Sequence, residues 1–475
     1  MAQTINSDCE QGTFLPHYIE DRIPDDHPAR FIKDFVKSLK LKELGFVIPE
    51  PESLGRPPYG AGLLLSAWLY GYFHKVYSTR GLERVCLMDL GVVWLLNWQK
   101  PDHNTLWRFI DKNRGLLEEL FKKVTFVASK IGQVSLVLQA LDGTKIRSEV
   151  STRGFCNKEK LEKTLEGLDD SIKEVMSKIE LQHELDEEKA KLTKDLQDHK
   201  RRKEMVERAL EEIEKDGCKQ INPKDVDARL IKCGKTIESA YNAQAVVDEK
   251  SGIIVSQDVV NDETDSRQLT RMVEKAEENL GSKPLEIVAD SGYYSPEELM
   301  KAETKGIDVL VNIPTQMRPE NKRKHHKSNF NQVESKDVLI CPRGHELVFK
   351  GTTLDRHNKE MRLKLYRCQS YEDCPDRDKC SKSKNGRTIE IGPHYGAVQR
   401  QLEKQKNLEA REKLLKRKSI VEREFAQIKW NMGFVRFMYR SLAKVKAQWA
   451  LVCSVENLKK IFKIWRENKM IFAPI

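Results

Sequence analysis

At about 150 residues per domain, the 475-residue chain has room for two to four domains and can bury a sizeable core without cross-links. Hydrophobic residues make up 39% and charged residues 33%, too apolar for a disordered chain, and no window approaches the roughly 18 uninterrupted apolar residues of a membrane span. The net charge of +10 is unevenly placed: Gly396–Ile475 holds 19 Lys/Arg against 7 Asp/Glu, which points either to a polyanionic partner or to a solvated basic helix.

The start, MAQTINSDCEQGTF, has no basic flank followed by an apolar stretch, so no secretory leader is expected. Ten cysteines then argue for reduced thiols or metal rather than a disulfide framework, and a cytoplasmic protein is expected. Residues 1–130 read as helical. The run Pro58–Phe73 is a buried helix opened by Arg56-Pro57-Pro58, a second helix follows Ser78-Thr79-Arg80, and a third opens near Asp102 with Asn104 or Thr105 as N-cap. Such helices fit a helix-turn-helix-like DNA-binding unit or a plain bundle.

The period then changes. Val134–Asp142 (VSLVLQALD) is an apolar strand ending on an acid. From about Asn157 to Asp216, Leu161, Leu165, Leu168, Ile172, Val175 and Ile179 form a heptad seam, answered by Leu192, Leu196, Val206, Leu210 and Ile213, so an antiparallel helical hairpin is expected. Tyr241–Asp248 and Ile253–Val260 form a β-hairpin, Thr264–Leu280 an amphipathic helix, Leu285–Asp290 a strand ending on a second acid, Pro296–Gly306 a helix and Val309–Ile313 a fifth strand. A basic linker, Asn321–Lys327, leads to a cysteine-bearing segment, and long helices run from Tyr395 to Asn468.

Asp142 (LDGT) and Asp290 (ADSGY) each close an apolar run. Neighbouring strand ends are where ligands collect in α/β sheets, and two carboxylates without His or Cys favour Mg²⁺ or Mn²⁺. Each could equally start a turn. A third acid sits in RKSIVEREFAQIK, where Val421, Phe425 and Ile428 make an apolar stripe flanked by Glu422 and Lys429; Glu424 points away, towards solvent.

With its acid-tipped strands and a later helix glutamate, the chain resembles the bacterial insertion-sequence DDE transposases. The resemblance runs in order through GRPPYGAGLLLSAWLYGY, YSTRGLERVC, KPDHNTLWRF, LDGTKI, DVDARL, YNAQAVVD, IVADSGYYSPEEL, IVEREFAQIKWNMGFVRFMYRSLAKV and ENLKKI. It implies an α/β fold: an RNase H-like, mixed five-stranded sheet core with a helical N-terminal region, an inserted helical hairpin and a small cysteine-rich, zinc-binding insert. It implies metal-dependent cleavage at the ends of an insertion sequence and strand transfer into target DNA by a two-metal mechanism, with Asp142, Asp290 and Glu422 holding Mg²⁺ or Mn²⁺. Lys429 matches the family lysine expected on terminal DNA phosphates. The family's tyrosine and arginine, seven and four residues before the glutamate, are here Leu415 and Lys418; the charge survives as Lys418 or shifts to Arg417. Arg436, Arg440, Trp430 and the RKHHK stretch are further DNA-contact candidates, and a nucleoid-associated homodimer on double-stranded DNA is implied.

Cys341, Cys368, Cys374 and Cys380, with His345 as a substitute, suit one tetrahedral structural Zn²⁺, an unliganded thiol cluster or a redox pair. The expected segments are 1–130 (helical, DNA-binding), 131–156 and 233–318 (core), 157–232 (hairpin), 319–394 (cysteine insert) and 395–475 (C-terminal helices with the third acid). The alternatives are a catalytically silent DNA-binding protein derived from a transposase, and a nuclease of the same fold that cuts without joining.

Overall fold

The computed structural model describes residues 18–46, 57–181, 186–314, 324–355, 361–468, 471, 472 and 474. Cys9, Arg56 and the first linker residues Asn321, Lys322 and Arg323 lie outside them. The chain divides into two units, Met1–Lys123 with Ser454–Ile475, and Val124–Cys453.

Side-chain caps set the helix starts of the first unit. Pro28–Ser38 has proline in its first turn and His27 Nδ1 accepting from the Ala29 N–H. Thr79–Met88 is capped by Ser78, and Leu90–Leu95 by Asp89. His103–Lys112 is capped by Asp102, whose carboxylate accepts the Thr105 N–H, so the cap lies two residues before Asn104 and three before Thr105. Ala61–Phe73, hydrophobic all round, buries nearly every side chain. Phe31 packs edge-on against Phe462 and Trp465, adding the chain's C-terminal helix to this core.

The second unit is built on a sheet of β1 (Leu138–Arg147), β2 (Arg229–Cys233), β3 (Thr236–Asp248), β4 (Ile254–Val260), β5 (Glu286–Ala289) and β6 (Val309–Val311). The order is β2-β3-β1-β5-β6, with β4 also on β3. β3 runs antiparallel to β1, β2 and β4, whereas β5 and β6 run parallel to β1. β2 adds a strand to the expected five: its RLIKC alternation is short and half-exposed and pairs with the first residues of β3. The edge of β6 is closed by side chains, since Gln401 Nε2 donates to Val309 O at 2.7 Å and Gln405 Nε2 to Val311 O at 2.6 Å.

The expected helical hairpin forms from Lys158–Leu181 and Asp186–Asp216. Its core lies at the base, where Leu161 and Leu168 meet Val206, Ala209 and Ile213, while Ile172, Val175 and Ile179 further along the seam are half-buried. The DVDARL segment caps another helix: Asp225 accepts the Ser441 N–H and Asp227 the Leu442 N–H at the start of Leu442–Asn468. Between Asp290 and Glu422 stands a second, all-antiparallel sheet of β7 (Asn331–Val333), β8 (Val338–Ile340), β9 (Glu346–Leu354), β10 (Arg362–Cys368) and β11 (Thr388–Ile391), closed over Phe330, Leu339, Leu347 and Tyr366. Among the described residues, no helix is long and apolar enough to cross a membrane.

Candidate active site

The sheet register brings the first two acids together. Leu141 of β1 pairs with Ala289 of the parallel β5, so the next residues, Asp142 and Asp290, emerge side by side. Asp142 lies mid-strand rather than at a strand end, because Gly143–Arg147 continue the ladder with Ala240–Gln244. Its Oδ1 accepts the Gly143 N–H at 2.8 Å, and Asp290 Oδ1 accepts the Gly292 N–H at 2.7 Å, fixing both carboxylates. Burial, with the Asp290 charge adding to it, pushes Asp142 up to about 6 although the Arg417 guanidinium opposes this.

Glu422 is delivered by a helix with two π turns. Leu408–Arg417 is α-helical, Lys418–Glu422 and Gln427–Asn431 are π-helical, and only four α residues separate them. Five α-helical steps would rotate Glu422 about 140° away from Arg417. The i→i+5 closure of a π turn brings the two back over one another. Arg417 is buried and its Nη1 meets Asp142 Oδ2 at 2.5 Å while Nη2 lies 3.5 Å from Glu422 Oε1. Lys418, at the family's arginine position, is exposed, and so is Leu415. Glu424 is the reverse of the expectation: it is buried, paired with Arg423 at 3.1 Å and packed on the turn at Gly252, whose positive φ and lack of a Cβ make room for it. Glu424 stands three residues after Val421 and four before Ile428, so the 3.6-residue period itself sets it on the buried face with them.

Behind β1 lies a polar cradle that the sequence patterns do not single out. Gly143 and Lys145 pair with Gln244 and Asn242 of β3, and alternation places all four on one face. Asp265, in the loop after β4, accepts on one oxygen from Asn242 (2.6 Å), Gln244 (2.7 Å) and Lys145 (3.3 Å). The buried Tyr293 hydroxyl donates to Gln244 Oε1. The alternating Asn242 and Gln244 in a buried strand are the one signal that marks this cradle in the sequence. Lys429 is half-buried with its amine donating to Lys145 O at 3.0 Å, and burial lowers its pKa.

Beyond the helix, the Phe437 N–H donates to Arg147 O at 2.9 Å, joining Phe434–Arg440 to the end of β1. Arg436 and Trp430 are exposed, whereas Arg440 pairs with Glu149. Within RKHHK, Lys324 and His325 surround Asp376 together with Arg343, and the Arg343 guanidinium holds the Asp376 carboxyl far below the carboxylate range. Cys341, Cys368, Cys374 and Cys380 are half-buried free thiols beside that ring. Burial and the neighbouring sulfurs raise Cys368 and Cys380, and backbone N–H groups of Arg343 and Ser370 donate to the sulfurs of Cys341 and Cys368.

The helix that carries Arg417, Glu422 and Lys429, the four cysteines and strands β9 to β11 fall within residues 340–462, which match a family model described as a Transposase DDE domain; residues 17–112 match one described as a Transposase domain. Two separate segments of the chain thus match transposase families. The two matches support a transposase function. No curated protein matches it. Asp142 and Asp290 lie outside both matched segments.

The oxygen donors fit a hard divalent cation in chemistry, and the mutual repulsion of Asp142 and Asp290 is what such a charge relieves. Among the described residues, however, no three acidic, histidine or cysteine side chains are gathered as a metal-holding group. Between Asp142 and Glu422 the positive charge is the Arg417 guanidinium.

Proposed function

We propose that this transposase cuts DNA at the ends of an insertion sequence and joins the released 3′ ends to target DNA, with Asp142, Asp290 and Glu422 as its catalytic carboxylates. The observation that carries the reading is the parallel register that sets Asp142 beside Asp290, with the Glu422 helix delivered to the same acid. The order β4-β3-β1-β5-β6, three antiparallel strands followed by two parallel to β1, supports an RNase H-like core.

A pair of Mg²⁺ or Mn²⁺ ions held by these carboxylates would supply Lewis-acid activation and neutralise the leaving oxygen. Everything else is positioning by the chain's own groups, because both steps are in-line phosphoryl transfers. Water attacks the phosphorus and a 3′-hydroxyl leaves; that hydroxyl then attacks a target phosphodiester, forming a new P–O bond as the target strand's own 3′-oxygen leaves and takes up the proton. Gly143 and Gly292 N–H groups orient the two aspartates, and the Asp265–Asn242–Gln244 cradle fixes the strands from behind. Lys429, Lys418, Arg436 and Arg440 would face DNA phosphates, with the pairing of Arg440 to Glu149 to be exchanged for them. Two element ends handled together imply a homodimer on DNA.

In the insert, the N–H groups aimed at Cys341 and Cys368, and the mutual charge effects of the four thiols, support one structural Zn²⁺ on Cys341, Cys368, Cys374 and Cys380. The Arg417 bridge between Asp142 and Glu422 favours a second reading, a transposase-derived protein that binds DNA without cutting it. Incubation with labelled terminal DNA, target DNA and Mg²⁺ separates the readings. Nicked and joined products that vanish in Glu422→Gln uphold the proposal; nicks without joining indicate a nuclease, and binding without nicks the silent reading.

A further inference from the structure

Arg417 is spent on the carboxylates of the site themselves. Its side chain is 9% exposed, at Nη1 2.5 Å from Asp142 Oδ2 and at Nη2 3.5 Å from Glu422 Oε1, so a single guanidinium spans two of the three acids. A buried cation is stable only while such partners neutralise it. The π turn over Lys418–Glu422 is what aims it: with regular α-helical geometry Lys418, not Arg417, would lie one turn before Glu422, and Lys418 is exposed.

We propose that Arg417 is the internal counter-cation of the acidic site: it occupies the position between Asp142 and Glu422 that a shared divalent ion requires, and leaves it for a DNA phosphate when that ion binds. The proposal rests on the DDE reading above. Its consequence is linkage. An ion entering the free protein must displace Arg417, whereas bound DNA offers the guanidinium a new anionic partner, so DNA tightens ion binding and the ion tightens DNA binding by the same factor. Bidentate pairing with phosphate oxygens suits the planar guanidinium fork better than it would a lysine.

The test is Mn²⁺ binding to the full chain, read from the loss of the free-ion electron paramagnetic resonance signal, without and with a duplex of the gene's flanking sequence. For Arg417→Gln the expected result is about tenfold tighter Mn²⁺ binding without DNA, as removal of a unit charge in contact with a carboxylate implies. DNA should tighten Mn²⁺ binding by the wild type and have little effect in the variant. Should Arg417→Gln fail to fold, Arg417→Lys, with a point charge in place of the fork, carries the test with a gain of about threefold. Unchanged or weaker Mn²⁺ binding in a folded variant, while Asp290→Asn abolishes it, overturns the counter-cation role and leaves the DDE reading standing. Equal Mn²⁺ binding by wild type and Asp290→Asn overturns both.

Discussion

Replacing Asp142 with asparagine is expected to stabilise the ion-free protein at neutral pH and to leave its stability unchanged in acid. The carboxyl is pushed from its ordinary 3.8 up to about 6 by burial and by the adjacent Asp290, even with Arg417 in contact. Each tenfold change in proton affinity is worth about 1.4 kcal/mol, so ionised Asp142 costs the fold about 3 kcal/mol at pH 7. The folded chain holds this proton more tightly than the unfolded chain does. Wild type therefore gains stability as pH falls from above 6 to below 4, and the asparagine variant, neutral throughout, lacks that gain. Thermal unfolding in EDTA should show the Asp142→Asn midpoint roughly 5 °C above wild type at pH 8, the gap closing towards pH 4. Mg²⁺ should then raise the wild-type midpoint and not the variant's. A variant less stable than wild type at pH 8, or a gap independent of pH, would refute the assignment of Asp142 as an acid whose burial and neighbouring Asp290 outweigh its pairing with Arg417.

The two nearby glutamates should separate by phenotype. Glu422→Gln, at a half-exposed position, should abolish DNA cleavage with unfolding stability within about 1 kcal/mol of wild type, whereas Glu424→Gln, buried against Arg423, should lose about 1–3 kcal/mol in urea unfolding. Gly143→Ala would place a Cβ 2.5 Å from Gln244 Nε2 and 2.7 Å from Asp265 Oδ1, so a loss of about 1–3 kcal/mol together with cleavage is expected from urea unfolding and a nicking assay. Elemental analysis of the purified chain should find one zinc, lost in Cys374→Ser; chelation should then lower the melting midpoint of wild type and not of the variant.

Long-period and alternating patterns were legible in the sequence. The 4-3 spacing of Leu161, Leu165 and Leu168 is enough to place a helical hairpin, because burying one stripe requires that period. The apolar runs before Asp142 and Asp290 place β1 and β5, but not their register, which is a property of strands about 150 residues apart in sequence. Asp-Gly at 142–143 reads as a turn, yet the strand continues, since pairing with Ala240–Gln244 overrides the local preference. The Glu422 helix carries its own signal: Arg417, Val421, Glu424 and Ile428 are spaced 4-3-4, the stripe a helix buries, while the approach of Arg417 to Glu422, five residues on, depends on a π turn that no spacing announces. Asp265 has no local signature, because what recruits it is the pair of amides on β3.

The central claim is that the Asp142–Asp290 pair drives metal-dependent cutting of DNA. Cleavage of a labelled duplex carrying the gene's own flanking sequence, in Mg²⁺ or EDTA, by wild type and Asp290→Asn, tests it most directly. Cuts at defined positions that require Mg²⁺ and disappear in Asp290→Asn are the predicted result; cutting that survives the substitution, or DNA binding by both proteins without any cut, would contradict it.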